Sequence, residues 1–225
     1  MSYPYILHKS GAEIKEEITV KQITLEQVRK GERFVLNGVA FIKLDEDREA
    51  SFVVSEDVVL KGIAFDTQER EDRNNYMYSG IQEGLDEWAS EHEEIYEAAL
   101  ERPIDLLSMD GMTDYGKPEV SVRMLTVDEY RKYRALIPLT DEVYWLATAY
   151  STPSSPYSGA SGAYCVDTSG ALNYRHVHGP GVAARPAFYL KSSIFVSVDD
   201  DEKGGLETYD MTELLQEIAR RVGEK

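Results

Sequence analysis

The period of apolar and polar positions changes several times along the chain, and each change marks an element. EIKEEITVKQI, residues 13–23, reads as a strand, and ITLEQVRKGERF as a short helical turn in which Leu25 and Val28 precede Gly31. Two β-like runs follow, FVLNGVAFIKL and SFVVSEDVVLKGIAF, with turns at Asn37-Gly38 and through DEDRE; the first has the form of a hairpin around its Asn-Gly pair. From Ser79 to Leu100 the residues Ile81, Leu85, Trp88, Ile95 and Leu100 form a helical stripe. The stripe is broken near Ser90, which predicts one helix or two, stopped by Pro103. MLTVDEYRKYRALIP predicts a second short helix, with Thr126 and Glu129 as a capping pair and Pro138 as the stop. Beyond Thr140 short strands alternate with Gly, Ser and Pro: AYCVD, ALNYRHV and PAFYL are strand candidates, with DTSG as the turn between the first two. VDDDEKGG reads as a polar linker. Met211, Leu214, Leu215, Ile218 and Val222 then give a C-terminal amphipathic helix, which must bury its stripe on its own domain or on another chain.

Composition singles out one stretch. Residues 147–184 contain no Glu, Lys, Gln, Met or Trp, although those types supply 49 of the 225 residues. In proportion about eight would fall in that window. What fills it is Tyr, Ser, Gly, Ala and His, between YWL and RPAFYL. The formal charge of −17 argues against binding nucleic-acid phosphates or anionic membranes, which such a chain repels. A solvated acidic surface, a basic partner and mimicry of DNA all remain compatible with it. The single cysteine, Cys165, excludes an intramolecular disulfide. No secretory signal is visible at the N-terminus and no apolar run reaches 18 residues, so the expectation is a cytoplasmic or virion-associated protein without a membrane span.

Candidate chemistry is sparse. The carboxylate pairs in DEDRE, EREDR and SEHEE are what widespread acidity makes by chance, and solvated faces account for them. His176 and His178 flank Val177, so on a strand both point to one face, as a zinc site with Cys165 or Asp167 would require. No CxxC or HExxH spacing supports that site, and no oxyanion-hole turn accompanies Cys165 for a thiol–imidazole dyad. The chain also lacks a phosphate-binding glycine loop. Trp88 and Trp145 are core indoles by their apolar company. Arg185, between apolar residues, needs a carboxylate or carbonyl partner if buried.

Taken in order, NNYMYSGIQEGLDEW, LTVDEYRKYRALIP, YWLATAY, AYCVDTSGALNYRHV and GVAARPAFYLKSSI resemble a bacterial and prophage domain family. That family has a C-type-lectin-like fold and is related to formylglycine-generating enzymes and to retroelement-diversified variable proteins. The resemblance covers roughly Ile23 to Ile194. It implies an α+β domain over residues 23–195, with a short twisted antiparallel sheet and helices that carry the core. Residues 1–22 precede it as a leader, 196–205 form an acidic linker and 206–225 the C-terminal helix. Two departures stand out: Ala147 replaces the family's Arg after Trp-Leu, and VAARP lengthens its Val-Arg-Pro, implying a bulge before Arg185.

The oxidase branch of that family needs a pair of cysteines, which this chain lacks, so the resemblance implies a non-enzymatic binding domain without a cofactor or metal. In the diversified branch, randomised template adenines turn AAY codons into NNY codons, which cannot encode the five residue types missing from 147–184. Tyr with Ser and Gly also suits an adaptable recognition surface. The expected contact residues for a protein or glycan ligand are Tyr150, Tyr157, Tyr164, Asn173, Tyr174, Arg175, His176 and His178, framed by Trp145, Arg185, Pro186 and Phe188. Alternatives are a phage virion or tail component that oligomerises through the C-terminal helix, and an acidic inhibitor of a nucleic-acid enzyme.

Overall fold

A computed structural model describes residues 20–156 and 159–199. The chain divides into two units. One is Gln22–Ser197; the other joins the two ends, Met1–Lys21 and Val198–Lys225, of which residues 20, 21, 198 and 199 are described. The leader, most of the acidic linker and the C-terminal helix expected over 206–225 therefore lie outside the described residues.

The strands are β1 (Val20–Thr24), β2 (Arg33–Leu36), β3 (Val39–Glu46), β4 (Ala50–Ser55), β5 (Leu60–Ile63), β6 (Ala99–Leu100) and β7 (Arg102–Pro103). They continue with β8 (Glu119–Val120), β9 (Tyr144–Ala149), β10 (Gly162–Val166), β11 (Leu172–His176), β12 (Val182–Ala184), β13 (Ala187–Lys191) and β14 (Phe195–Asp199). The helices are α1 (Gly80–Ser90), α2 (Glu93–Ala98) and α3 (Val127–Tyr133), with 3-10 turns at Leu25–Gln27 and Tyr76–Tyr78. A seven-stranded sheet has the order β1-β14-β2-β3-β4-β13-β6, a five-stranded sheet the order β11-β10-β9-β12-β5, and β7 pairs with β8.

Local chemistry explains most boundaries. Asn37 (φ 48°) and Gly38 (φ 75°) both enter the left-handed region, the geometry of a tight hairpin, and join β2 to β3 with Leu36 opposite Val39. The Ser79 hydroxyl accepts from Gln82 N at 3.3 Å and starts α1. Thr126 and Glu129 form a reciprocal capping box on α3. The break near Ser90 does divide two helices, α1 and α2.

The expected α+β class does not hold. About 36% of the described residues are strand and 17% helix, and the three α-helices have 11, 6 and 7 residues. Helices this short cannot carry a core, and two large sheets carry it instead. One face of the five-stranded sheet packs Tyr144, Leu146 and Val166 against Ile42, Phe52 and Val54 of the seven-stranded sheet and Val127, Tyr130 and Tyr133 of α3. The other face packs Trp145, Ala163 and Cys165 against Phe65, Tyr76, Ile81 and Leu85. Apolar residues at both odd and even positions are therefore buried in β9, all six of whose residues are inaccessible. Nor is the sheet purely antiparallel: β12 runs parallel to β9, with Ala183 opposite Tyr144. The register of β12 against β5 shifts between Val182 and Ala184, just before Arg185.

Candidate functional site

The two frames of the compositionally biased block lie in different sheets. YWL opens β9, while Ala187 to Leu190 of RPAFYL lie in β13 of the seven-stranded sheet, between β4 and β6. Its frame residues are all buried. Trp145 sits edge-on to Phe65, with ring centroids 5.5 Å apart, and donates from Nε1 to Ile63 O at 3.4 Å. Phe188 meets Phe41 edge-to-face at 5.7 Å. Pro186 O accepts from Ser55 N at 2.9 Å.

Arg185 has the carbonyl partners its setting demands. Nε donates to Ser55 O (2.9 Å), Nη1 to Pro138 O (2.9 Å) and Nη2 to Glu56 O (2.7 Å), and the guanidinium lies 5.2 Å from the centre of the Tyr144 ring. Burial lowers its pKa from the usual arginine value.

Between those frames the chain forms β10 and β11, and β11 is the outermost strand, with one edge unpaired. Tyr164 pairs with Tyr174 across the ladder, and Leu172, Tyr174 and His176 share one face of β11 by alternation. Tyr150, just after β9, joins them: the Tyr150–Tyr174 centroids are 4.8 Å apart, and both lie 6.3 Å from that of Tyr164. Gly162 lies against this cluster. A β-carbon there would lie 3.4 Å from Tyr150 Cβ and 3.9 Å from Tyr174 Cδ2. The base of the loop is held by buried Asn74, whose Nδ2 donates to Ser151 O and Gly162 O, each at 2.8 Å, while Oδ1 accepts from Tyr115 OH at 2.6 Å.

The expected contact residues thus divide. Tyr150, Tyr164 and Tyr174 gather on one face, with Tyr174 57% exposed and the other two half-buried. His176 is exposed at the end of the same strand, its ring 5.2 Å from that of His178. His178 turns toward the preceding loop, its Nδ1 2.8 Å from Asp66 O and its Nε2 3.6 Å from Glu69 Oε1. Asn173 and Arg175 point to the opposite face, because they pair with Cys165 and Ala163, whose side chains enter the Trp145 core. Asn173 Oδ1 accepts from Tyr174 N at 3.0 Å. Tyr157 lies outside the described residues.

Cys165 is fully buried, and burial pushes its thiol pKa up, away from thiolate character; its polar neighbour is Arg175 rather than a histidine. Among the described residues no three His, Cys, Asp or Glu side chains converge as metal ligands. No helix among them is long and apolar enough to cross a membrane.

Two residues outside the block, Met109 and Arg131, meet at the end of β9, which leads to Tyr150. Met109 N donates to Ala149 O at 2.9 Å, and its sulfur accepts from Arg131 Nη2 of α3 at 3.9 Å. Burial raises the pKa of the Tyr164 hydroxyl; Tyr150 adds to the shift and Arg131 opposes it. Neither Met109, within the loop-like SMDGMTDYGKP, nor Arg131, on the polar side of a short helix, carries a local signal of this role. Comparisons with protein-family models, curated proteins and solved structures return no match for this chain.

Proposed function

We propose that this protein is a non-enzymatic recognition module that binds a protein or glycan through the Tyr150–Tyr164–Tyr174 face and the adjoining His176. One observation carries the reading. The block that lacks Glu, Lys, Gln, Met and Trp has its frame residues wholly buried, while Tyr150, Tyr164 and Tyr174 cluster at the edge of a sheet. Tyr164 packs against the core, whereas Tyr174 and His176 are exposed and can vary in sequence without disturbing it. The ordered motifs shared with the bacterial and prophage family, together with the missing residue types, support the additional reading that a retroelement diversifies this block.

The test uses immobilised wild-type chain and the variants Tyr174→Ala and His176→Ala, each verified by circular dichroism, presented to a glycan array and to a cell lysate with quantitative crosslinking. A ligand lost from both folded variants supports the reading. Equal capture by all three proteins, or unfolding of the variants, refutes it.

A further inference from the structure

We infer that the tyrosine face is an interface for a polypeptide, one that offers an apolar or aromatic anchor side chain surrounded by lysine or arginine. The inference rests on the binding role proposed for this face and adds the chemical class of the partner.

The centre of the face is apolar and aromatic. Met109, whose N–H bonds the carbonyl of Ala149 next to Tyr150 in the chain, is 40% exposed, and Leu172 lies two residues from Tyr174 on the same side of β11. Clustered Tyr side chains with an exposed Met on the adjoining loop have the composition of a protein-interface core, where a few large side chains supply most of the affinity. Sugar hydroxyls instead call for amide or carboxylate side chains aimed into the patch. Of the nearby amides, Asn74 is buried with its bonds made to Ser151, Gly162 and Tyr115, and Asn173 belongs to the other face and spends its oxygen on Tyr174 N. That bond also occupies an outward backbone group of β11, and His176 O is taken by Gly179 N at 2.9 Å. The edge is closed to strand addition at these two points, so a partner must read side chains.

The surroundings are acidic. Asp110 and Asp114 belong to the loop that carries Met109, and Ser154 N donates to Asp114 Oδ2 at 3.3 Å. Hydrogen bonds from Ser154 hold the Asp114 carboxyl below the usual range, and bonds from Ser169 and Ala171 do the same for Asp167 in the turn between β10 and β11. These carboxylates are therefore ionised at neutral pH. Of the nearby cations, Arg131 pairs with Asp128 at 3.3 Å, Arg134 lies 5.8 Å from the centre of the Tyr130 ring, and Arg175 turns to the opposite face of β11. An apolar centre with an anionic rim, on a chain of formal charge −17, is complementary to an apolar side chain set among cations.

Panning a displayed random peptide library on the full chain at about 0.15 M salt, after depletion on the Tyr174→Ala variant, tests this directly. Depletion removes basic peptides that adhere anywhere on the acidic surface. The expected survivors combine a large apolar residue with flanking Lys or Arg. They should lose about tenfold or more in affinity on Met109→Ala and about threefold on the double change Asp114→Asn with Asp128→Asn. A glycan array is probed in parallel. Tyr174-dependent glycan binding without peptide binding would overturn the polypeptide assignment and leave the recognition role standing. Survivors that are acidic, or no binding in either format, also overturn the assignment. Peptides whose binding ignores Met109, Tyr150 and Tyr164 overturn both.

Discussion

Replacing Arg185 by methionine retains much of the apolar stem and removes the donors that three buried carbonyls depend on. Ser55 O, Pro138 O and Glu56 O each accept from the guanidinium at 2.7–2.9 Å, and Arg185 itself is only 1% exposed. A hydrogen bond to a charged group contributes about 1.5–3 kcal/mol, and a buried acceptor left without a partner costs about 1–3 kcal/mol. The cost of burying the guanidinium, which methionine avoids, offsets part of this sum. The expected net loss is about 3–5 kcal/mol, a large share of the ~5–15 kcal/mol typical of a folded domain. Urea unfolding followed by the fluorescence of buried Trp88 and Trp145 reads it as a fall in midpoint of roughly 1–3 M at an ordinary slope. Arg185→Lys keeps the charge but cannot present the planar fork to three directions, and should lie between wild type and the methionine variant. A loss below about 1 kcal/mol in both variants would show that the carbonyls find other donors, and would refute the view that Arg185 ties β4 and the loop after α3 to the start of β13.

Asn74→Ala removes three buried hydrogen bonds at the base of the 150–162 loop and should cost about 2–4 kcal/mol. Hydrogen exchange should quicken at Tyr150, whose N–H bonds Gly162 O, and unchanged exchange there would contradict the anchoring role. Asp45 sets a pH dependence. Partial burial would raise its pKa, but hydrogen bonds from Lys30, Tyr133 and Lys132 outweigh burial and hold the carboxyl well below its ordinary range. A depressed folded pKa stabilises the protein above the unfolded value near 4 and loses that contribution as pH falls toward the folded value. The stability gap between wild type and Asp45→Asn should therefore be widest at neutral pH and shrink below about pH 4; a constant gap down to pH 2.5 would contradict it.

Short-range features were legible because their causes are short-range. The Asn37-Gly38 hairpin, the Thr126–Glu129 capping box, the break near Ser90 and the carbonyl-bonded Arg185 each depend on a few neighbouring residues or on a single buried charge. Fold class failed for the converse reason. Helical patterns stand out in sequence, whereas β5, β6, β7, β8 and β12 are two to four residues long and owe their pairing to partners far along the chain, as Val182 opposite Ile63 shows. The site divides in the same way. Composition located the tyrosines, but which residues share a face depends on register: Tyr174 meets Tyr164, while Arg175, one residue on, turns toward Cys165.

By itself, then, the sequence determined the turns, caps and frame residues, and the location of the unusual block between Trp145 and Phe188. Tertiary structure alone decided that sheets carry the core and that Met109 and Arg131 meet at the end of β9. It also decided that Asn173 and Arg175 leave them. The physical reason is that alternation fixes the two faces of a strand locally, while only its neighbours in the sheet determine which face meets a core and which meets solvent.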